Sequence, residues 1–171
     1  MARYLAYQYQ DCGLTLEEGV HVYHQHLRDN NKKILNGPIM KGHDYIHVVF
    51  GLNTAMEQEM LNDIWTFFGT NISWKEFRSY FDYPELRELG MKILKEFGVF
   101  GVIRLYINAL PAVKEVWKRT RKMHKKWPYN CPNEFTSKTI SDLRIEFGIK
   151  IFTEVELNEL KKIEWSGSFT A

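Results

Sequence analysis

The sequence predicts an all-α fold, a single-domain helical bundle, on three observations. Four Ser/Thr-x-x-Glu boxes recur, at Thr15 and Glu18, Thr54 and Glu57, Ser73 and Glu76, and Thr153 and Glu156. In such a box the hydroxyl accepts from a free N–H of the first helical turn, and the Glu reaches back to the cap residue's own N–H. Prolines at 38, 84, 111 and 128 fall between periodic segments, where they can start a helix but not lie midway through one. No stretch of appreciable length alternates with period two, no Asn-Gly hairpin links β-branched runs, and no internal repeat is present. The 171 residues suffice for one domain with a substantial core and are too few for two. That domain is expected over residues 1–165, with 166–171 a flexible tail.

Taken in order, helices are expected near 15–34, 41–50, 54–68, 74–82, 85–110, 112–126, 139–147 and 153–163. The Thr15 box opens the first, and the second ends at Gly51, a residue suited to a left-handed turn after a helix. Asn53 and Thr54 offer capping chemistry for the third, and the Ser73 box opens the fourth. Pro84 precedes the long fifth helix, where a break is expected around Gly98 to Gly101, and Pro111 separates it from the sixth. The Thr153 box opens the last.

Composition excludes several classes. Hydrophobic residues make up 44% and charged residues 26% of the chain, near the globular average, which argues against disorder, a collagen-like repeat or a disulfide scaffold. Net charge is only +2, so nothing global calls for nucleic acid. Cys12 and Cys131 lie far apart without zinc-ribbon spacing, which fits a reducing compartment. Met1–Gln10 carries one Arg and no long apolar stretch, so no secretory signal or transit peptide is expected, and a cytoplasmic location follows.

The most apolar stretch, Phe97–Leu110, is interrupted by Arg104 and is shorter than the roughly 20 residues that span a bilayer. A buried core helix is the plain reading. The wall of a lipid pocket, lined by Phe97, Phe100, Ile103 and Tyr106, or a surface that dips into a membrane interface are the others. Directly after it, Lys114–Lys126 holds seven Lys and Arg residues against Glu115, with Trp117 and Trp127 as aromatic anchors. Such a run is either a solvated face or a membrane-surface segment. Further aromatics, from Trp65 and Phe67 through Trp74 and Phe77 to Tyr80, Phe81 and Tyr83, offer candidate lining for an apolar ligand.

The residues that carry chemistry are His43-Asp44-Tyr45-Ile46-His47. On a helix His43 and His47 lie one turn apart on one face, close enough for two imidazoles to reach one metal ion. Asp44 is a third ligand or the acceptor that fixes a His tautomer. A catalytic site needs a further protein ligand and an open position. On one straight helix Glu59 would stand about 18 Å beyond His47 at ~1.5 Å per residue. A break at Gly51 and a new helix from Thr54 instead fold Glu59 back to the height of His47 in a helical hairpin. Glu57 belongs to the Thr54 box, which leaves Glu59 as the ligand. Such a donor set suits Zn²⁺, Fe²⁺, Mn²⁺ or Co²⁺.

At these residues the chain resembles the ubiquinone (coenzyme Q) biosynthesis family named for the fourth Coq protein, whose signature is HDxxH, eleven residues and Glu. The match is His43, Asp44, His47 and Glu59, followed by an apolar pair and Gly51-Leu52. A second likeness is Asp142-Leu-Arg-Ile-Glu-Phe-Gly-Ile149, similar to the family's Leu-Arg-x-Glu-x-Gly-Ile. The N-terminal region is shorter than is usual in the family, and the sequence between the motifs has diverged. The resemblance implies an all-α protein that holds a metal with the four named residues, binds a prenylated aromatic or isoprenoid lipid, and lies peripherally on a membrane. It also implies oxidative removal of the C1 carboxyl from a polyprenylated hydroxybenzoate, a lyase-type activity, or a scaffold that organises other quinone biosynthesis proteins; a homodimer is a further expectation.

A different class is an HD-type metal phosphohydrolase, built on His43-Asp44 with His24 or His26 upstream and Asp63 or Asp82 downstream. His21, His24 and His26 cannot form a three-His site on one helix, because His26 points away from His24. Cys131 stands near Lys125 and Lys126, where its thiol pKa could be lowered, but lacks the paired His of a nucleophile.

Overall fold

The structure, a computed structural model, describes residues 4–79 and 82–163. The expected tail at 166–171 and the aromatics Tyr80 and Phe81 lie outside them. The chain is all-α and forms a single domain. Seven α-helices follow a short 3₁₀ turn at Ala6–Gln8: α1 Leu16–Asp29, α2 Pro38–Val49, α3 Met56–Gly69, α4 Trp74–Ser79, α5 Pro84–Thr120, α6 Ile140–Phe147 and α7 Glu154–Asn158.

Three of the four predicted boxes form. Thr15 and Thr153 accept from the amides of Glu18 and Glu156, whose carboxylates reach back, and Ser73 and Glu76 make the same pair. The Thr54 box does not form, because Ala55 is the cap residue of α3. The Asn53 carboxamide oxygen accepts from Ala55 N–H at 2.9 Å, and Gln58 Oε1 accepts from Asn53 N–H at 2.8 Å. These longer side chains close the turn from outside it, and the Thr54 carbonyl is taken by the Lys32 ammonium at 2.6 Å.

Two expectations about α5 are corrected. The separate helices at 85–110 and 112–126 are one element that passes through Pro111 and ends at Thr120. A proline on an exposed helix forfeits one backbone bond whose carbonyl water can serve. The break expected around Gly98 to Gly101 is present at Gly98, with φ 65° and ψ 173°, a conformation open to glycine and strained for other residues. Phe97–Leu110 is also not a core helix: Phe100 is 87% exposed, and Val99, Ile103, Tyr106, Ile107 and Leu110 are exposed with it. Within α5 only Val116 and Arg119 are buried.

The core lies elsewhere, around α2, which packs against α1, α3, α6 and the 3₁₀ turn. All residues from Asp44 to Val49 are buried, as expected of a helix enclosed on every side. Trp65, Leu143 and Phe147 pack into the same cluster. Trp127 is fully buried there rather than anchoring an interface, and Arg119 turns inward onto Glu156, the Ile151 carbonyl and the Phe152 ring. The rest of the basic run, Lys114, Lys118, Arg121, Lys122, Lys125 and Lys126, stays exposed.

One buried cation organises this core. Arg144, 1% exposed, donates to the carbonyls of Val49 at 2.8 Å, Val48 at 3.0 Å and Tyr7 at 2.6 Å, and also to Tyr9. Val48 and Val49 belong to the last turn of α2, whose carbonyls have no partner within the helix, and the positive charge suits a helix C-terminus. Burial pulls the guanidinium down to about 10, which keeps it charged at neutral pH.

Arg144→Leu would take the donor from the buried carbonyls of Val49 and Tyr7, each costing ~1–3 kcal/mol, while those of Val48 and Tyr9 keep a backbone donor. The expected loss is about 3 kcal/mol or more, a melting midpoint lower by about 10 °C. Arg144→Lys should recover less than half of it, since an ammonium cannot span two stretches of chain. Thermal denaturation of the two variants checks this, and a loss below about 1 kcal/mol for Arg144→Leu would contradict it.

Candidate metal centre

The expected hairpin is present, and its turn shows why α2 stops. Gly51 adopts φ 70°, with Gly51 N–H donating to the Val48 carbonyl at 3.3 Å and Leu52 N–H to the His47 carbonyl at 2.8 Å. This is the Schellman arrangement that ends a helix through a left-handed residue. Tyr7 hydroxyl donates to the Leu52 carbonyl at 3.0 Å, and the Gln8 carboxamide donates to the Gly51 carbonyl and to Gln58 Oε1, each at 3.2 Å. The turn is thus tied to the N-terminal segment, and α3 leaves it antiparallel to α2.

This geometry brings His43, His47 and Glu59 together, with one potential ligand atom from each within 4.8 Å of the others. Glu59 Oε2 stands 3.2 Å from His47 Nε2 and 3.8 Å from His43 Nε2. His47 is completely buried, stacks on the Tyr23 ring with centroids 4.7 Å apart, and turns Nδ1 toward the Leu52 carbonyl at 3.4 Å. A carbonyl only accepts, so the proton belongs on Nδ1 and the Nε2 lone pair faces Glu59. His47 Nε2 makes no hydrogen bond among the described residues despite its burial. His43 likewise places Nε2 toward Glu59, while its Nδ1 lies 3.6 Å from Asp44 Oδ1, an ion-pair rather than a hydrogen-bond distance. Imidazoles oriented by an oxygen on one nitrogen and offering the other are the usual form of metal-binding histidines.

Asp44 is not among the three. Its Oδ2 meets His24 Nε2 at 2.7 Å, so of the two roles open to it the carboxylate takes the one behind His43. The phosphohydrolase grouping is likewise not assembled: among the described residues only His43, His47 and Glu59 gather as a cluster, and His26 lies instead beside the Thr54 hydroxyl at 3.3 Å.

Electrostatics agree with this placement. Burial would lower the His43 pKa, but the facing carboxylates of Asp44 and Glu59 outweigh it and raise the value. Burial pushes Glu59 up, yet His47, His43 and Lys32 bring it down to about 2. Asp63, one turn after Glu59 on the same flank of α3, has its side chain open to solvent; crowding by its surroundings and the Glu59 charge raise its carboxyl pKa, and His43 opposes them. Its charge also acts on the Tyr106 hydroxyl, which partial burial and Asp63 together raise. Cys131 moves opposite to the lowering considered for it, since burial pushes its thiol up to about 12.

The apolar residues do not share one groove. A cavity of about 510 Å³ opens between α3, α5 and residues 159–163, and of the four candidate lining residues only Phe97 borders it. Glu57, Met60, Leu61 and Ile64 line it from α3, on the flank opposite Glu59 at ~100° per residue. Glu57 also accepts from Ile163 N–H at 3.4 Å. Phe100, Ile103 and Tyr106 are exposed on α5, as are Phe67 and Trp74, whereas Trp65 is core.

Two residues of the site, His24 as a partner of Asp44 and Lys32 beside Glu59, had no motif to announce them as such. Compared with protein families, curated proteins and solved structures, the chain has no match.

Glu59→Gln keeps the shape of the side chain and removes the carboxylate. It should weaken Zn²⁺ or Co²⁺ binding by more than about a hundredfold, since even residues that only orient a ligand cost 10–100-fold. Binding to the unmodified protein should weaken as pH falls through a value above 6.5, the ordinary imidazole value, by up to about tenfold per pH unit, because His43 must lose its proton. Glu59 stays ionised to about 2 and does not titrate in that window. Isothermal titration at several pH values measures both effects.

Proposed function

We propose that this chain is a metal-dependent protein of ubiquinone biosynthesis that removes the C1 carboxyl of a polyprenylated hydroxybenzoate at a membrane surface. The observation that carries the reading is the convergence of two imidazole Nε2 atoms and the Glu59 carboxylate, with His47 held from behind by the Leu52 carbonyl and His43 facing the Asp44 carboxylate. Three such donors fit Zn²⁺, Fe²⁺, Mn²⁺ or Co²⁺ and leave coordination positions for a substrate. An ion held there would supply a Lewis-acid charge that binds and polarises a carboxylate.

Membrane association is supported by the exposed apolar side chains of Val99, Phe100, Ile103, Ile107 and Leu110 and the basic residues that follow them. Among the described residues no helix is long and apolar enough to cross a membrane. The apolar groove bordered by Met60, Leu61, Ile64 and Phe97 has Arg104 and Lys162 in its lining, a setting suited to an isoprenoid chain with an anionic head. Because it lies across α3 from Glu59, it also supports a second reading, in which the chain presents lipid intermediates to other enzymes and the metal supports the fold.

The test uses liposomes carrying a prenylated hydroxybenzoate labelled in its carboxyl carbon, with air as oxidant and each of the four metals in turn. Labelled CO₂ is expected with at least one metal and should fall to background in Glu59→Gln. Absence of release with all four, or undiminished release by the variant, would overturn the enzymatic reading. Rescue of a cell lacking its own quinone biosynthesis protein of this type by Glu59→Gln would favour the scaffold.

A further inference from the structure

His24 stands on α1, one residue after the Tyr23 ring that stacks on His47. From there its Nε2 reaches Asp44 Oδ2 at 2.7 Å, while the other oxygen of that carboxylate stands 3.6 Å from His43 Nδ1. His43 in turn presents Nε2 to Glu59 at 3.8 Å. The four side chains form one line across three helices, His24 on α1, His43 and Asp44 on α2, and Glu59 on α3.

A carboxylate with one bonded oxygen is a hinged group, and its second oxygen is aimed only as well as the first is held. Asp44 faces a cavity of about 460 Å³ whose lining includes His24, Lys41 and Tyr45. Without His24 the carboxylate can turn into that cavity. Its oxygen would then leave His43 Nδ1, and the imidazole would lose the facing negative charge that favours a proton on Nδ1 and leaves Nε2 for Glu59 and a metal.

We propose that His24 is a positioning residue of the metal centre, holding the Asp44 carboxylate so that it orients His43 for coordination through Nε2. The proposal rests on His43, His47 and Glu59 being a metal site. His24 itself does not touch the metal, and its effect passes through Asp44 alone.

Co²⁺ titration with visible absorption tests this on the full chain, comparing the unmodified protein with His24→Leu, His24→Gln, Asp44→Asn, the His24→Leu/Asp44→Asn pair and Glu59→Gln. His24→Leu should bind Co²⁺ about 10–100-fold more weakly, the cost typical of removing a residue behind a ligand, with an altered visible band. His24→Gln, whose amide can still donate to Asp44, should regain most of that affinity and the original band. The double variant should bind no more weakly than Asp44→Asn alone, because His24 acts through that carboxylate. Should His24→Leu fail to fold, the comparison of His24→Gln with Asp44→Asn decides: the proposal requires the Gln variant to keep near-normal binding and the Asn variant to lose it. Binding by His24→Leu within about twofold of the unmodified protein, while Glu59→Gln loses Co²⁺, would overturn the positioning role and leave the metal site standing. Failure of the unmodified protein to bind Co²⁺ would overturn both.

Discussion

The Arg144 guanidinium binds backbone carbonyls from two stretches of chain and fastens them to each other. Tyr7 and Tyr9 belong to the N-terminal segment, Val48 and Val49 to the end of α2. A helix end enclosed by core residues cannot give its last carbonyls to water, so a buried donor must serve them. Arg suits this task because its fork of N–H groups reaches several oxygens at once. With α2 ended there, Gly51 turns the chain, and Tyr7 and Gln8 hold the turn from the segment that Arg144 has fixed. The Leu52 carbonyl that receives the Tyr7 hydroxyl also faces His47 Nδ1. The orientation of a metal-site imidazole thus depends on a cation that never approaches the metal site.

The hairpin and its ligand trio were legible in the sequence because they rest on short-range rules. Two histidines four apart share a helical face, glycine tolerates the left-handed turn, and the return helix brings Glu59 back to His47. The residues that complete the site were not legible, because their contacts join distant segments: His24 meets Asp44 across the α1–α2 interface, and Lys32 acts on Glu59 from the loop after α1. The Thr54 pattern misled for a related reason. Asn53 and Gln58 close the same turn, and Gln8 from the N-terminal segment holds Gln58, a partner that no local motif contains.

The apolar stretch on α5 shows the limit of hydrophobicity as a guide to burial. Its composition suits a core, yet α2 already fills the centre of the bundle, and the stretch after the Gly98 break is left with an exposed apolar face. Trp127 makes the converse point. It sits in a basic run that reads as interfacial, but it fills the centre of a cluster with Phe135 and Phe147. The apolar groove and the His43–His47–Glu59 trio lie on different faces of α3.

The most direct test of the central claim is the X-ray absorption spectrum of the Zn²⁺-loaded protein. Two imidazole nitrogens and a carboxylate oxygen are expected at about 2.0–2.2 Å, the remaining scatterers being water oxygens, with outer-shell scattering from two imidazole rings. A spectrum without imidazole scattering, or one with sulfur at ~2.3 Å, would contradict it.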